Sequence, residues 1–271
     1  MLNILDFGKK KQKGDKITMV TCYDYTSAVL VNRTALDCIL VGDSLAMTMH
    51  GFETTVNATT EMMALHTAAV SRGAKDKFIV GDLPFLSYRK ALSDNMEAVQ
   101  TIMQAGAHAV KLEGTSGNVG FIRHLVDSGV PVMGHIGLTP QFVHQLGGYR
   151  VQGKTDKAAK QLLQDAKALE EAGCFALVLE CVPAPLAKKI TEEIGIATIG
   201  IGAGADTDGQ VLVFQDLLGL NTDFRPKFVK QFLDGADLVT GALDSYVEEV
   251  KTGVFPDAAY SFGAEKLAET A

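Results

Sequence analysis

"ALVLECV", residues 176–182, is the kind of apolar run a strand makes when both of its faces are covered, and it carries one charged residue, Glu180, near its end. Six comparable runs lie elsewhere: "ITMVTC" (17–22), "CILVGDS" (38–44), "FIVGDL" (78–83), "AVKLEG" (109–114), "PVMGHIG" (131–137) and "ATIGIGA" (197–203). "VLVFQDL" (211–217) is a weaker eighth. The runs are nearly continuous in Val, Ile and Leu rather than alternating, the pattern of parallel strands buried on both faces.

Between them lie stretches with helical spacing. "TTEMMALHTAAVSRGA" (59–74) follows the second run, "DNMEAVQTIMQAGA" (94–107) the third and "DKAAKQLLQDAKALEEAGC" (156–174) the fifth. The last two stop at Gly106 and Gly173, where a glycine suits a helix C-terminus. Strand and helix alternate about eight times without a proline-rich linker, which predicts one (β/α)8 TIM barrel domain over 1–271. A basic arm at about 1–15 and a loose tail at about 263–271 flank it. A doubly wound open sheet would give a similar pattern.

Composition bounds the function. The net charge of −7 argues against nucleic acid or an anionic membrane as partner. The dense basic run "KKKQK" (9–13) reads as a solvated arm. The N-terminus has no apolar segment with a small-residue cleavage site, and no apolar run approaches the roughly 18 residues that span a bilayer. Cys22, Cys38, Cys174 and Cys181 form no C-x-x-C pair and read as buried free thiols of a cytoplasmic protein.

The polar residues fall where chemistry would need them. Asp43, Asp82, Lys111, Glu113, His135 and Glu180 stand at or near the C-terminal ends of apolar runs, the end at which barrels and open sheets alike gather ligands. Each has a plainer reading alone: Asp43 and Asp82 as helix caps, Lys111 with Glu113 as an ion pair, His135 as a core histidine. Glu180 resists one, because its flanks offer no cation and an unpaired buried carboxylate is costly.

Together the residues make a coherent set. Asp43, Asp82 and Glu113 are hard oxygen ligands suited to Mg2+, which leaves coordination positions open to a substrate. An α-keto acid chelated there would have its ketone polarised. Lys111 would neutralise the substrate carboxylate or an enolate, and Glu180 would take the proton α to the ketone. "GIGAGADTDG" (200–209) loosely matches a dinucleotide loop, but no helix start or acidic residue follows as that site requires. It reads as a backbone turn at the rim.

The blocks "TMVTCYDYTSA" (18–28), "VGDSLAMT" (41–48), "GDLPF" (81–85), "AGAHAVKLEG" (105–114), "GHIGLTPQ" (134–141), "GGYRVQG" (147–153), "LVLECVP" (177–183) and "IGIGAG" (199–204) resemble those of the ketopantoate hydroxymethyltransferase family, from about Lys16 to about Phe262. The resemblance implies a barrel of the phosphoenolpyruvate/pyruvate type. It implies transfer of a one-carbon unit from 5,10-methylenetetrahydrofolate to α-ketoisovalerate (3-methyl-2-oxobutanoate), with Mg2+. Asp43, Asp82 and Glu113 would serve the metal, and Asp43, Ser44, Asp82 and Lys111 the keto acid. Glu180 would be the base, His135 would lie in the pocket, and the chain would assemble as a homodecamer. The chain departs from the family's usual "VGDSLGM" at Ala46, which would strain the loop if that position needs a positive φ, and its tail extends past Phe262. A mutase or lyase of the related barrels is a rival, but no "KKCGH"-like cysteine loop is present. A non-catalytic barrel would lack one of Asp43, Asp82 or Glu180, and all are here. No motif marks pterin contacts.

Overall fold

The computed structural model describes residues 1–223 and 225–262. The tail expected at 263–271 lies outside the described residues. Eight parallel strands close in chain order into a barrel, which excludes the open sheet. They are β1 (Ile17–Thr21), β2 (Cys38–Val41), β3 (Phe78–Asp82), β4 (Ala109–Glu113), β5 (Val132–Gly137), β6 (Ala176–Glu180), β7 (Ala197–Ile201) and β8 (Gly209–Leu212). The first seven runs read from sequence each hold one of these strands. The helices are α1 (Ile4–Lys13), α2 (Tyr25–Asn32), α3 (Leu45–Thr48), α4 (Thr60–Gly73), α5 (Leu92–Gln104) and α6 (Val119–Asp127). They continue with α7 (Val143–Leu146), α8 (Asp156–Glu171), α9 (Ala184–Glu193), α10 (Phe214–Leu217) and α11 (Gly235–Thr252).

The chain divides into two compact units, Met1–Phe214, which holds the barrel strands, and Gln215–Ala271. In the second unit α11 is amphipathic, with Leu238, Leu243 and Tyr246 on its exposed side.

Local chemistry sets the helix limits. Thr59 and Thr155 cap α4 and α8, each accepting from a backbone N–H of the first turn. Gly106 and Gly173 follow α5 and α8 at φ 110 and 95, the left-handed conformation that stops a helix.

Residues 1–15 are not the solvated arm expected. Asn3 and Asp6 form a reciprocal capping box that starts α1, and Gly14 at φ 73 ends it. The helix buries Phe7 among the first residues of the strands, including Ile17, Cys38, Phe78 and Ala109. Phe7 meets Phe78 and Phe175 edge-on, with centroids 5.5 and 5.0 Å away. Part of the basic run is used to dock it: Lys11 Nζ donates to Asp208 Oδ2 at 2.9 Å and to Thr191 O at 2.7 Å.

The eighth strand also differs. It begins at Gly209, ahead of the apolar run, because a Cβ there would come 2.5 Å from Ile17 O of β1. It ends at Leu212, after which Phe214 N donates to Thr21 Oγ1 and α10 begins. Residues 202–208 return from β7 to β8 with no helix, so the helix expected in every crossover is missing here. Gly202 (φ 63) and Gly204 (φ 83) turn this segment, and Gln210 Nε2 pins it by donating to Gly204 O at 2.8 Å. The glycine stretch is thus a turn. Ala46 lies buried within α3, away from the left-handed region, and carries no strain.

Candidate active site

Strand register assembles the polar residues. Across neighbouring strands Asp82 stands beside Lys111, Glu113 beside His135, and Glu180 beside Gly137. Glu180 therefore lies two residues nearer the strand end than His135, and it is the more open: its side chain is 16% exposed against 3%. Asp43, two residues beyond β2, joins them by donating its backbone N–H to Asp82 Oδ2 at 3.1 Å. It caps no helix, since the N-cap of α3 is Ser44, which makes no side-chain cap.

Charge is concentrated and dry. Asp43, Asp82, Lys111, Glu113 and His135 are all buried. Lys111 Nζ lies 3.2 Å from Asp82 Oδ1 and 3.2 Å from His135 Nδ1, so its ion partner is Asp82 rather than Glu113. His135 stands between two carboxylates, with Nδ1 3.4 Å from Glu113 Oε1 and Nε2 3.2 Å from Glu180 Oε2. Glu180 thus finds its partner across the strand. Ser44 Oγ is 2.7 Å from the buried Tyr23 hydroxyl.

These surroundings set the protonation states. Burial, then the charges of Asp82 and Glu113, push the Asp43 carboxyl well above the usual carboxylate range. Burial likewise raises Asp82, although Lys111 opposes it. Burial resists the charge on Lys111, but Asp82, Glu113, Asp43 and Glu180 outweigh it and hold the ammonium above its ordinary value. Burial and Lys111 resist protonation of His135; hydrogen bonds to Glu113 and Glu180 prevail and raise it to about 9. A charged imidazole turns Nδ1–H to Glu113, whereas a neutral one accepts there from Lys111. In both states the Nε2 side faces Glu180.

Two residues that sequence reading gave no role organise the cluster. Gln141, 3% exposed, donates Nε2–H to Asp43 Oδ2 at 2.8 Å and to Leu83 O at 2.9 Å, and its backbone N–H to Glu113 Oε2 at 3.1 Å. Tyr88 donates to Gln141 Oε1 at 2.6 Å, which fixes the amide's orientation. Gln141 closes the block "GHIGLTPQ", and that was its only signal; Tyr88 had none. After Glu180 the backbone turns sharply, with Cys181 at φ 48, a left-handed conformation that is strained for a residue with a Cβ.

A hard cation fits this donor set. Asp82 Oδ1 and Glu113 Oε1 are buried and accept no aligned hydrogen bond, and four carboxylates, Asp43, Asp82, Glu113 and Glu180, face one lysine and one histidine. Among the described residues no three His, Cys, Asp or Glu side chains converge on one point as a ready metal cage. The donors that are present are carboxylate oxygens, the ligand type of Mg2+, which takes one or two of them and fills its shell with water and substrate oxygens, rather than the Cys and His ligands typical of Zn2+. The cysteines are all free, and only Cys181 is less than fully buried. No helix among the described residues is long and apolar enough to cross a membrane.

Comparison with known proteins identifies the family. The family model for ketopantoate hydroxymethyltransferase matches residues 1–258. The 3-methyl-2-oxobutanoate hydroxymethyltransferase of Bdellovibrio bacteriovorus is 60% identical over 262 residues, covering 97% of this chain and 100% of its own. Phosphoenolpyruvate phosphomutase from Streptomyces platensis subsp. rosaceus superposes with a TM-score of 0.64 at 12% identity, over 99% of this chain and 94% of that one. A 2,3-dimethylmalate lyase of the PEP mutase/isocitrate lyase superfamily gives 0.61 at 14%, with coverage of 99% and 94%. At such identities the likeness is one of fold alone.

Proposed function

The chain belongs to the ketopantoate hydroxymethyltransferase family, and from that premise we propose that it transfers a hydroxymethyl group from 5,10-methylenetetrahydrofolate to 3-methyl-2-oxobutanoate, giving 2-dehydropantoate. That reaction opens pantothenate and coenzyme A synthesis. The observation that carries the reading is the meeting of Glu180 and His135 with Lys111 and three buried carboxylates at one barrel mouth.

Asp43 and Asp82, with Glu113 behind them, would hold Mg2+, which when bound polarises the ketone of the keto acid. Lys111, kept charged by its carboxylate neighbours, would meet the substrate carboxylate, and Ser44 would donate to a substrate oxygen. Glu180 is the most open carboxylate of the cluster and would remove the C3 proton. His135 would hold Glu180 toward the pocket and balance its charge. The C3 carbon would then bond to the donor's methylene as one of its two C–N bonds breaks, and a water would displace the other nitrogen. Tetrahydrofolate would thus leave with the C3 proton and one proton of the water, while the product keeps the water's hydroxyl.

Four free cysteines fit a reducing cytoplasm. The exposed apolar side of α11 supports a homo-oligomer, which we take to be a decamer.

Proton NMR of 3-methyl-2-oxobutanoate in D2O, with Mg2+ and without folate, tests the chemistry. Exchange at C3 collapses the methyl doublet toward a singlet. We expect collapse that requires Mg2+ and slows about 100-fold or more in Glu180→Gln, the scale of a lost general base. Equal exchange rates in wild type and variant would remove Glu180 from the mechanism.

A further inference from the structure

The groups facing the mouth are compact and charged. They suit a small keto acid but give no flat surface to a large ring system. Such a surface is present on residues 147–153, "GGYRVQG", between α7 and α8. Gly147 (φ 67) and Gly148 (φ 109) take the left-handed conformation and turn the chain there. At its far end Gln152 N donates to Cys181 O at 2.9 Å, one residue past Glu180. At its middle Tyr149 Oη donates to Met47 Sδ at 3.6 Å, on the short helix that follows Asp43 and Ser44. The segment therefore bridges the base's strand and the helix beside the opposite carboxylate.

Tyr149 remains 51% exposed and Val151 beside it 42%, although both belong to this strap. Burial, then the charges of Glu180, Asp43 and Glu113, raise the Tyr149 phenol, which agrees with a ring standing over the site. Arg150 is exposed and has no carboxylate partner among the described residues. An exposed aromatic ring and an unpaired cation thus stand next to each other on the strap that ties Cys181, one residue past Glu180, to Met47.

We propose that the strap carrying Tyr149 and Arg150 is the binding wall for the one-carbon donor, Tyr149 stacking on its flat rings and Arg150 meeting the carboxylates of its glutamyl tail. The proposal rests on the reading that the donor is a reduced folate. A methylene group delivered to C3 must approach from the solvent side of the keto acid, because the strands and buried carboxylates fill the other side. A pterin or benzoyl ring arriving by that route meets Tyr149, and its anionic tail, pointing outward, meets Arg150.

The test compares wild type with Tyr149→Ala, Tyr149→Phe and Arg150→Gln in three measurements: calorimetric binding of tetrahydrofolate, KM values for both substrates, and the folate-free proton exchange. Tyr149→Ala should weaken tetrahydrofolate binding and raise the donor KM about tenfold, the factor given by roughly 1.4 kcal/mol of lost contact. Its KM for the keto acid and its proton exchange should stay within about twofold of wild type, since nothing inside the mouth is removed. Tyr149→Phe keeps the ring and should bind tetrahydrofolate nearly as wild type does. Arg150→Gln should lose more affinity for a triglutamyl than for a monoglutamyl tetrahydrofolate. Unchanged tetrahydrofolate affinity in Tyr149→Ala overturns the proposal alone, as does a loss of exchange that parallels the loss of transfer. A wild-type protein that binds no tetrahydrofolate overturns it together with the functional reading.

Discussion

The two ends of the barrel are made by the same strands and have opposite characters. At the end where strands begin, Ile17, Cys38, Phe78, Ala109, Ala176 and Ala197 pack around Phe7 in an apolar plug. At the end where they finish, Asp82, Lys111, Glu113 and Glu180 stand within a few residues of those same strands' start. The first arrangement buries hydrocarbon at no electrostatic cost. The second buries like charges that raise one another's carboxyl pKa values. One end holds the fold together and the other stores the repulsion that chemistry uses. A substitution should therefore separate stability from activity according to the end it touches.

Phe7→Ala gives the largest expected effect. Truncating a fully buried aromatic costs about 3–5 kcal/mol. For a chain of this size that corresponds to a fall in Tm of roughly 6–20 °C. The variant's kcat at 25 °C should match wild type, because the plug lies at the far end of the strands from Glu180. A matching fall in kcat, measured where the variant is fully folded by circular dichroism, would show that the ends are coupled.

The opposite sign is expected at the mouth. Asp43 is held well above its ordinary pKa by burial and by neighbouring carboxylates, so its ionised form is strained at neutral pH. Folding stability from such a group is present at low pH and lost as pH rises through the raised value. Asp43→Asn removes that charge and keeps an acceptor for Gln141 Nε2. In EDTA its Tm should exceed that of wild type, because the charge that burial and the neighbouring carboxylates oppose is gone. Excess Mg2+ should raise the wild-type Tm and leave the variant's unchanged. A variant less stable than wild type in EDTA would mean that Asp43 is held by contacts that outweigh the repulsion.

Legibility followed the same division. Asp82, Lys111, Glu113, His135 and Glu180 were readable because a polar residue closing a continuous apolar run is conspicuous, and parallel strands bring such ends together. Their pairings were not readable, since these depend on register: Lys111 meets Asp82 on the neighbouring strand, not Glu113 on its own. Gln141 and Tyr88 were missed because their roles arise from contacts across 53 and 98 residues of sequence, in an amide and a phenol with no charge to advertise. At the other end α1 was read as an arm because its lysines dominate the composition, while the anchoring residue is a single phenylalanine. The start of β8 was missed because close contact with Ile17 selects Gly209, and a glycine adds nothing to an apolar run.

The smallest expected effect sharpens the contrast through pH. His108 precedes β4 at the plugged end, stacks on Phe78 with centroids 5.5 Å apart, and accepts from Ile79 N at its Nδ1. Burial lowers its pKa below the usual 6.5. The unfolded chain therefore takes up this proton first, and stability falls as pH drops below about 6.5. At the mouth the raised carboxyls of Asp43 and Asp82 act the other way, gaining stability on acidification. His135, raised to about 9, contributes stability that is complete below the unfolded value and lost as pH rises through 9. His108→Asn keeps an acceptor near the Nδ1 position and removes the titration. Between pH 7.5 and 5.5 the wild-type Tm should fall relative to the variant's by only about 1 °C, because His108 is half exposed and solvent screens the effect. Superimposable curves would place the imidazole in water in both states. A wild type that gains on the variant would reverse the sign assigned to the plugged end and leave the charged mouth as the source of any pH dependence the fold has.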